Sequence, residues 1–137
     1  DLFKLSNGKY VAPQQVESLL KQSALIAQAV AVGSGRKQVG ALIVPDWESV
    51  KQIIKNEKID AKGTREELCE NPYIVKLLQN DAIRYTKEAN DYERVKRVYL
   101  LPREFSIDKG EMTPTLKIKR GVIDEKYSEA IDKISGS

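Results

Sequence analysis

The chain has 137 residues, 41% of them hydrophobic, which is enough for one domain with a buried core and short for two. With 23 basic residues against 20 acidic ones the net charge is +3, a mixed solvated surface rather than the strong positive field that nucleic-acid binding requires. Histidine is absent and Cys69 is the single cysteine, so an internal disulfide, a cysteine metal cluster and the usual zinc sites are excluded, and a reducing cytoplasm suits the composition.

Leu2, Phe3 and Leu5 form a short apolar run, and Ser6-Asn7-Gly8-Lys9 follows as a turn in which Gly8 or Asn7 takes positive φ. Pro13 suits a first helical position, and Val16, Leu19 and Leu20 then share a face, predicting a helix that ends near Ser23. Ala27 to Val32 and Val39 to Val44 are β-rich and flank Gly33-Ser34-Gly35-Arg36-Lys37, the pattern of a hairpin with a glycine-containing loop. Asp46 can cap a helix carrying Val50, Ile53 and Ile54, and Thr64 with Glu67 makes a capping box for a short one. Asn71-Pro72 opens a longer helix with Ile74, Leu77, Leu78 and Ile83 on its inner side. Arg94 to Leu101 has strand character, and Pro102 ends it. Val122, Ile123, Tyr127, Ala130, Ile131 and Ile134 recur at helical spacing and predict one amphipathic closing helix, with Ser135-Gly136-Ser137 as a flexible tail. Helices and a hairpin without regular βαβ alternation give an α+β domain, a short sheet packed by helices.

Without histidine, a serine or Cys69 would need a lysine as its base, and no spacing supplies one, so hydrolase chemistry is disfavoured. Cys69 reads as a small apolar group on a helix face. The carboxylates of Asp60 to Glu70, and Asp124, Glu125, Glu129 and Asp132, interleave with lysines as a solvated face does. The Ser6–Lys9 turn has neither a Walker nor a dinucleotide fingerprint and is a turn with exposed amides, although Gly8 lets a ligand come close. The strongest signal is Thr113-Pro114-Thr115-Leu116-Lys117-Ile118-Lys119-Arg120, which sets three basic residues between a stiff Thr-Pro-Thr step and an amphipathic helix. Pro114 disfavours helix at Thr113 and keeps the approach extended. On its own, such an octet is ordinarily a solvated surface segment. No apolar run approaches the ~20 residues that a spanning helix needs.

The opening Asp1-Leu2-Phe3-Lys4-Leu5-Ser6-Asn7-Gly8-Lys9-Tyr10-Val11-Ala12-Pro13 with Val16-Glu17, then Gly40-Ala41-Leu42-Ile43-Val44-Pro45, then the Thr113–Arg120 octet, together resemble the C-terminal domain of AMP-forming long-chain acyl-CoA synthetases, in the acyl-adenylate-forming superfamily. The resemblance runs through the whole chain and is most specific at its two ends. It implies a two-step ligase: fatty acid and ATP give acyl-adenylate and pyrophosphate, and coenzyme A then displaces AMP. By position, Lys117 matches the catalytic lysine of the first step, and Ser6, Asn7, Gly8 and Lys9 match the segment that lines the pantetheine tunnel. Lys4 falls where some relatives carry a lysine serving the second step. Many superfamily members have glycine directly before the catalytic lysine, whereas Leu116 stands here, as in the long-chain branch.

The same resemblance implies a fragment, residues 1–137, that is the C-terminal lid of an enzyme either free in the cytoplasm or peripheral at the membrane, with the hinge residue just before Asp1. An absent large domain would supply the ATP cleft, the magnesium contacts and the acyl tunnel, and the fragment alone would be inactive. Lys119 and Arg120 read as the start of the last helix rather than as phosphate ligands. Arg36, Lys37, Arg94, Lys96 and Arg97 are candidates for coenzyme A phosphates or plain solubility residues. Two alternatives stay open: acyl carrier protein as the acceptor, and a non-catalytic module using the octet as a basic docking patch.

Overall fold

The computed structural model describes residues 1–136. In chain order the elements are β1 (Phe3–Lys4), β2 (Tyr10–Val11), α1 (Pro13–Leu20), β3 (Ile26–Val32), β4 (Gly40–Pro45), α2 (Trp47–Asn56), α3 (Arg65–Glu70), α4 (Pro72–Tyr85), β5 (Val98–Leu100), α5 (Arg120–Lys126) and α6 (Ser128–Ser135), with a 3-10 turn at Asp91–Glu93. The strands form a two-stranded antiparallel ribbon, β1-β2, and a three-stranded sheet in the order β3-β4-β5. Within the larger sheet β3 and β4 are antiparallel, as a hairpin must be, and β5 runs parallel to β4. A parallel neighbour needs a long crossover, which α2, α3 and α4 provide.

β4 is buried at every position because side chains alternate across a sheet that is covered on both faces. Ala29, Ala31, Ala41, Ile43, Val98 and Leu100 face one core, packed with Val16 and Leu20 of α1, Val50 of α2 and Ile74 and Leu78 of α4. Val30, Val32, Leu42 and Val44 face the other, packed with Phe105, Ile123, Ile131 and Ile134. The architecture is the small α+β domain that the sequence predicts, a short sheet between helices.

Most local signals hold where they were placed. Pro13 opens α1, Asp46 accepts the Ser49 amide, Thr64 and Glu67 close a reciprocal capping box, and Asn71 caps α4 with Pro72 next to it. Five expectations fail. The strand predicted from Arg94 is paired only over Val98–Leu100, and Ile83 is exposed on α4 rather than facing the core. The closing helix is two helices, broken at Tyr127, and Val122 lies on the outside. Ser135 belongs to α6 and is buried, its carbonyl accepting the Lys37 and Gln38 amides, so the hairpin loop caps the helix that was expected to fray at this point. Ser137 lies outside the described residues.

Candidate functional site

The octet folds into a tight hairpin. Met112 and Ile118 form an antiparallel bridge, the Lys119 amide donates to the Glu111 carbonyl at 2.9 Å, and the Thr113 amide donates to the Lys117 carbonyl at 2.8 Å. Thr113 holds the turn from three sides, because its carbonyl accepts the Leu116 amide at 2.8 Å and its hydroxyl oxygen accepts the Lys117 amide at 3.1 Å. Closing so short a turn puts Leu116 at φ 64, in the left-handed region, with its side chain 65% exposed. Glycine adopts this conformation without the strain that a side chain brings. Lys117 follows on a fully bonded backbone with an exposed side chain, and none of the ion pairs among the described residues uses its ammonium.

Lys117 borders a cleft of about 590 Å³ that α1 closes from the other side, lined also by Glu17, Lys21, Gln28, Phe105 and Met112. Arg120 spans its edge. Its guanidinium makes a two-pronged pair with Glu17, 2.8 and 3.0 Å, and its Nε donates to Asp1 at 3.0 Å. Glu17 accepts in addition the Ala31 amide of β3 at 2.8 Å. The carboxylate thus ties α1, β3 and the start of α5 together, and Arg120 begins the helix as the sequence predicted while serving as a clamp.

The Ser6–Lys9 segment is a separate turn between β1 and β2. Gly8 has φ +88, and a Cβ added there would meet nothing within 4 Å. The expectation of exposed amides is corrected here. The Ser6 amide donates to the Arg36 carbonyl at 2.8 Å, the Gly8 amide to the Leu5 carbonyl at 2.9 Å and the Lys9 amide to the Asn7 side chain at 2.9 Å. With three of its four amides engaged the turn makes a poor phosphate cradle, but its open face at Gly8 fits a slender ligand arm passing close to the backbone. The hairpin loop that holds this turn is itself fixed, since the Gly35 amide donates to the Lys4 carbonyl and Arg36 pairs with Asp132 at 2.8 Å. Lys4 is exposed, with its ammonium 6.0 Å from the centroid of the Tyr10 ring, and Lys9 lies similarly 5.6 Å from that of Tyr92.

Of the remaining basic candidates, Arg36 is occupied by Asp132, and Arg94 by the Ala89 carbonyl and Asp91. Lys37, Lys96 and Arg97 are exposed. Cys69 packs half-buried against the larger core, where burial first and the Glu66 and Glu70 carboxylates second push its thiol up to about 11. Most of the carboxylates read as a solvated face are exposed, but Asp124 is partly buried, and that burial raises its pKa against the pull of Arg36 and Arg120.

Sequence reasoning gave no polar role to three residues that organise this region: Glu17, Glu111 and Tyr127. Glu111 has no accessible surface, and its carboxylate accepts from Lys126 at 2.8 Å, from the Tyr127 hydroxyl and from the Ser106 amide at 3.2 Å. An isolated Gly110-Glu111-Met112 carries no periodic signal that could have marked its carboxylate as buried.

The chain is similar to known proteins along nearly its whole length. The chain is 37% identical over 123 residues to long-chain-fatty-acid–CoA ligase 5 of Rattus norvegicus, covering 88% of this chain and 18% of the relative. It is 34% identical over 136 residues to ligase 1 of Homo sapiens, covering 97% of this chain and 19% of that one. The chain therefore spans about a fifth of the length of the curated relatives it matches. Among solved structures, the A domain of carboxylic acid reductase from Segniliparus rugosus, in complex with AMP and a co-purified carboxylic acid, superimposes with a TM-score of 0.74 at 21% identity. That match covers 96% of this chain and 19% of the reductase chain. The fatty acyl CoA synthetase of Mycobacterium tuberculosis gives 0.56 at 18% identity, over 95% of this chain and 20% of that one. These likenesses are to one fold, shared with about a fifth of each much longer chain. The family of the AMP-binding enzyme C-terminal domain matches residues 1–135, and this chain belongs to it.

Proposed function

We propose that this domain is the mobile lid of a long-chain fatty-acid–CoA ligase and that Lys117 is its catalytic lysine. The single observation that carries the reading is a lysine whose ammonium has no partner among the described residues, held on a hairpin whose backbone is bonded at Thr113, Leu116, Lys117 and Lys119, beside an open cleft. A surface lysine kept for solubility needs no such support.

In the first step a fatty-acid carboxylate oxygen attacks the α-phosphorus of ATP and pyrophosphate leaves. Two anions must meet, so a cation placed between carboxylate and phosphate offsets their repulsion and stabilises the charge that develops. Lys117 supplies it once the lid closes over the large domain, which would contribute the nucleotide pocket, magnesium and the acyl tunnel. In the second step the thiol of coenzyme A attacks the acyl carbon and AMP leaves. Ser6, Asn7, Gly8 and Lys9 then line the path of the pantetheine arm, and Lys4 stands beside it. Support for this role is the open face at Gly8 and the engagement of the Ser6, Gly8 and Lys9 amides, which suits a largely uncharged arm better than a phosphate. The residues outside the turn, Lys37 among them, are left for the anionic end of the carrier.

The test is Lys117→Ala in the full-length enzyme, comparing ATP–pyrophosphate exchange with thioester formation from supplied acyl-adenylate. Exchange falls on the order of 10²–10³-fold while the second step survives. Unchanged exchange would return the octet to the surface. Because the Lys117 side chain is exposed, the substitution moves the thermal midpoint of the domain by less than about 2 °C.

A further inference from the structure

We propose that Glu111 is a positioning residue for Lys117, acting with Tyr127 as the anchor that fixes the angle at which the hairpin leaves the domain. The inference rests on the reading of Lys117 given above and names what makes that lysine's placement exact enough to be useful. Beyond Met112 and Ile118 the hairpin is exposed from Pro114 to Lys117, so its end is not buried against the described residues. Its direction is set where it joins the body, and Glu111 is that junction.

Every part of Glu111 is engaged. Its backbone amide donates to the Ser106 carbonyl at 3.1 Å and its carbonyl accepts the Lys119 amide at 2.9 Å, which closes the base of the hairpin. One carboxylate oxygen accepts the Ser106 amide at 3.2 Å and lies 3.5 Å from the Lys109 ammonium; the other accepts Lys126 at 2.8 Å and the Tyr127 hydroxyl. Burying a carboxylate is costly unless it is paired and hydrogen-bonded on all sides, as it is here. The opposite partner, Tyr127, is the residue at which the closing helix breaks between α5 and α6. Its ring also stands edge-on to Phe105, 6.2 Å between centroids, inside the second core. The hairpin is thereby bolted to a point that both closing helices share.

The lever arm converts small errors at this point into large ones at the ammonium. Lys117 lies two residues beyond the Lys119 bond, about 7 Å of extended chain, and its side chain reaches about 6 Å further. A tilt of about 5° at the base then displaces the ammonium by about 1 Å, and a displacement of that size costs up to about 10²-fold in rate.

Two variants test the role in the full-length enzyme, alongside Lys117→Ala. Glu111→Gln keeps the shape but turns one acceptor oxygen into an NH₂ that must face either the Ser106 and Lys109 donors or those of Lys126 and Tyr127. Tyr127→Phe removes a single bond at nearly constant volume and serves if Glu111→Gln fails to fold. The expected result is a fall of about 10- to 100-fold in kcat for pyrophosphate exchange, with KM for ATP little changed and thioester formation from supplied acyl-adenylate near the parent rate. A parallel fall in both half-reactions would show a merely structural role and overturn the proposal. If neither variant slows exchange while Lys117→Ala abolishes it, Glu111 is not the positioning residue and the reading of Lys117 stands. If Lys117→Ala itself leaves exchange intact, both readings fall.

Discussion

The clamp between Glu17 and Arg120 makes an unequal pair of stability changes. Glu17 satisfies two claims at once, the Arg120 guanidinium at 2.8 and 3.0 Å and the Ala31 amide at 2.8 Å. Arg120→Ala removes one of these claims and leaves the amide bonded, while Glu17→Ala removes both and strands a donor of β3. The side chains are 13% and 22% exposed, so the pair has neither the full strength of a buried bridge nor the weakness of a surface one. A charge-assisted, two-pronged contact in that setting contributes about 1.5 kcal/mol, and an unsatisfied buried amide costs about as much again. The bond from Arg120 to the exposed Asp1 adds at most about 0.5 kcal/mol. Glu17→Ala is therefore expected to cost about 3 kcal/mol, Arg120→Ala about 2, and the double variant about 3.5, which leaves a coupling of about 1.5 kcal/mol. Unfolding entropy of about 2.1 cal/mol/K per residue makes the Glu17→Ala loss about 10 °C in Tm. Urea denaturation of the 137-residue chain and its three variants, followed by circular dichroism, measures all four terms. Additivity within about 0.4 kcal/mol, or an Arg120→Ala cost equal to that of Glu17→Ala, would refute the reasoning.

Other outcomes follow from single residues. Leu116 adopts φ 64 with its side chain 65% exposed, so Leu116→Gly relieves about 1 kcal/mol of backbone strain, of which the freer unfolded chain takes back a part. A net gain of about 0.5 kcal/mol is expected in a urea melt, and a loss above about 1 kcal/mol would mean that Leu116 packs within the domain. The Cys69 thiol, raised from 9.0 to about 11, holds about a hundredth of the thiolate of a free thiol at pH 8. Its alkylation by iodoacetamide should be slower than that of the urea-unfolded chain by roughly that factor; a ratio below about ten would show Cys69 to be open. For Glu111, burial favours the neutral acid, but the bonds from Lys126, Tyr127 and Ser106 and the nearby Lys109 outweigh it and hold the carboxyl below its ordinary 4.5. A carboxylate with a lowered folded pKa contributes stability that is complete above 4.5 and is lost as pH falls through the folded value. The slope of unfolding free energy against pH below 4.5 should accordingly be shallower in Glu111→Gln, and identical slopes would show that Glu111 titrates alike folded and unfolded.

Local chemistry carried much of the domain into the sequence. Pro13, Asp46, the Thr64–Glu67 box and Asn71-Pro72 start helices through contacts within three residues, and the β3–β4 hairpin is closed by its own loop, so each is legible without the rest of the chain. Lys117 drew notice through a resemblance carried by contiguous residues, Thr113 to Arg120, while the hairpin that holds it was not read from the sequence.

What the tertiary structure alone decided depends on partners far away in the chain. Apolar spacing through Tyr127 promised one continuous helix, but the Tyr127 hydroxyl is bound to Glu111, 16 residues earlier, and the helix breaks there. The amides of the Ser6 turn looked free until the β3–β4 loop arrived to take one of them. Glu17 is an ordinary helical glutamate in the sequence and becomes a clamp only when Arg120, 103 residues on, reaches it. Periodicity records which face of an element is dry, and capping residues record where it begins. Neither records which buried polar group will find a partner across the fold, because that partner is set by packing geometry.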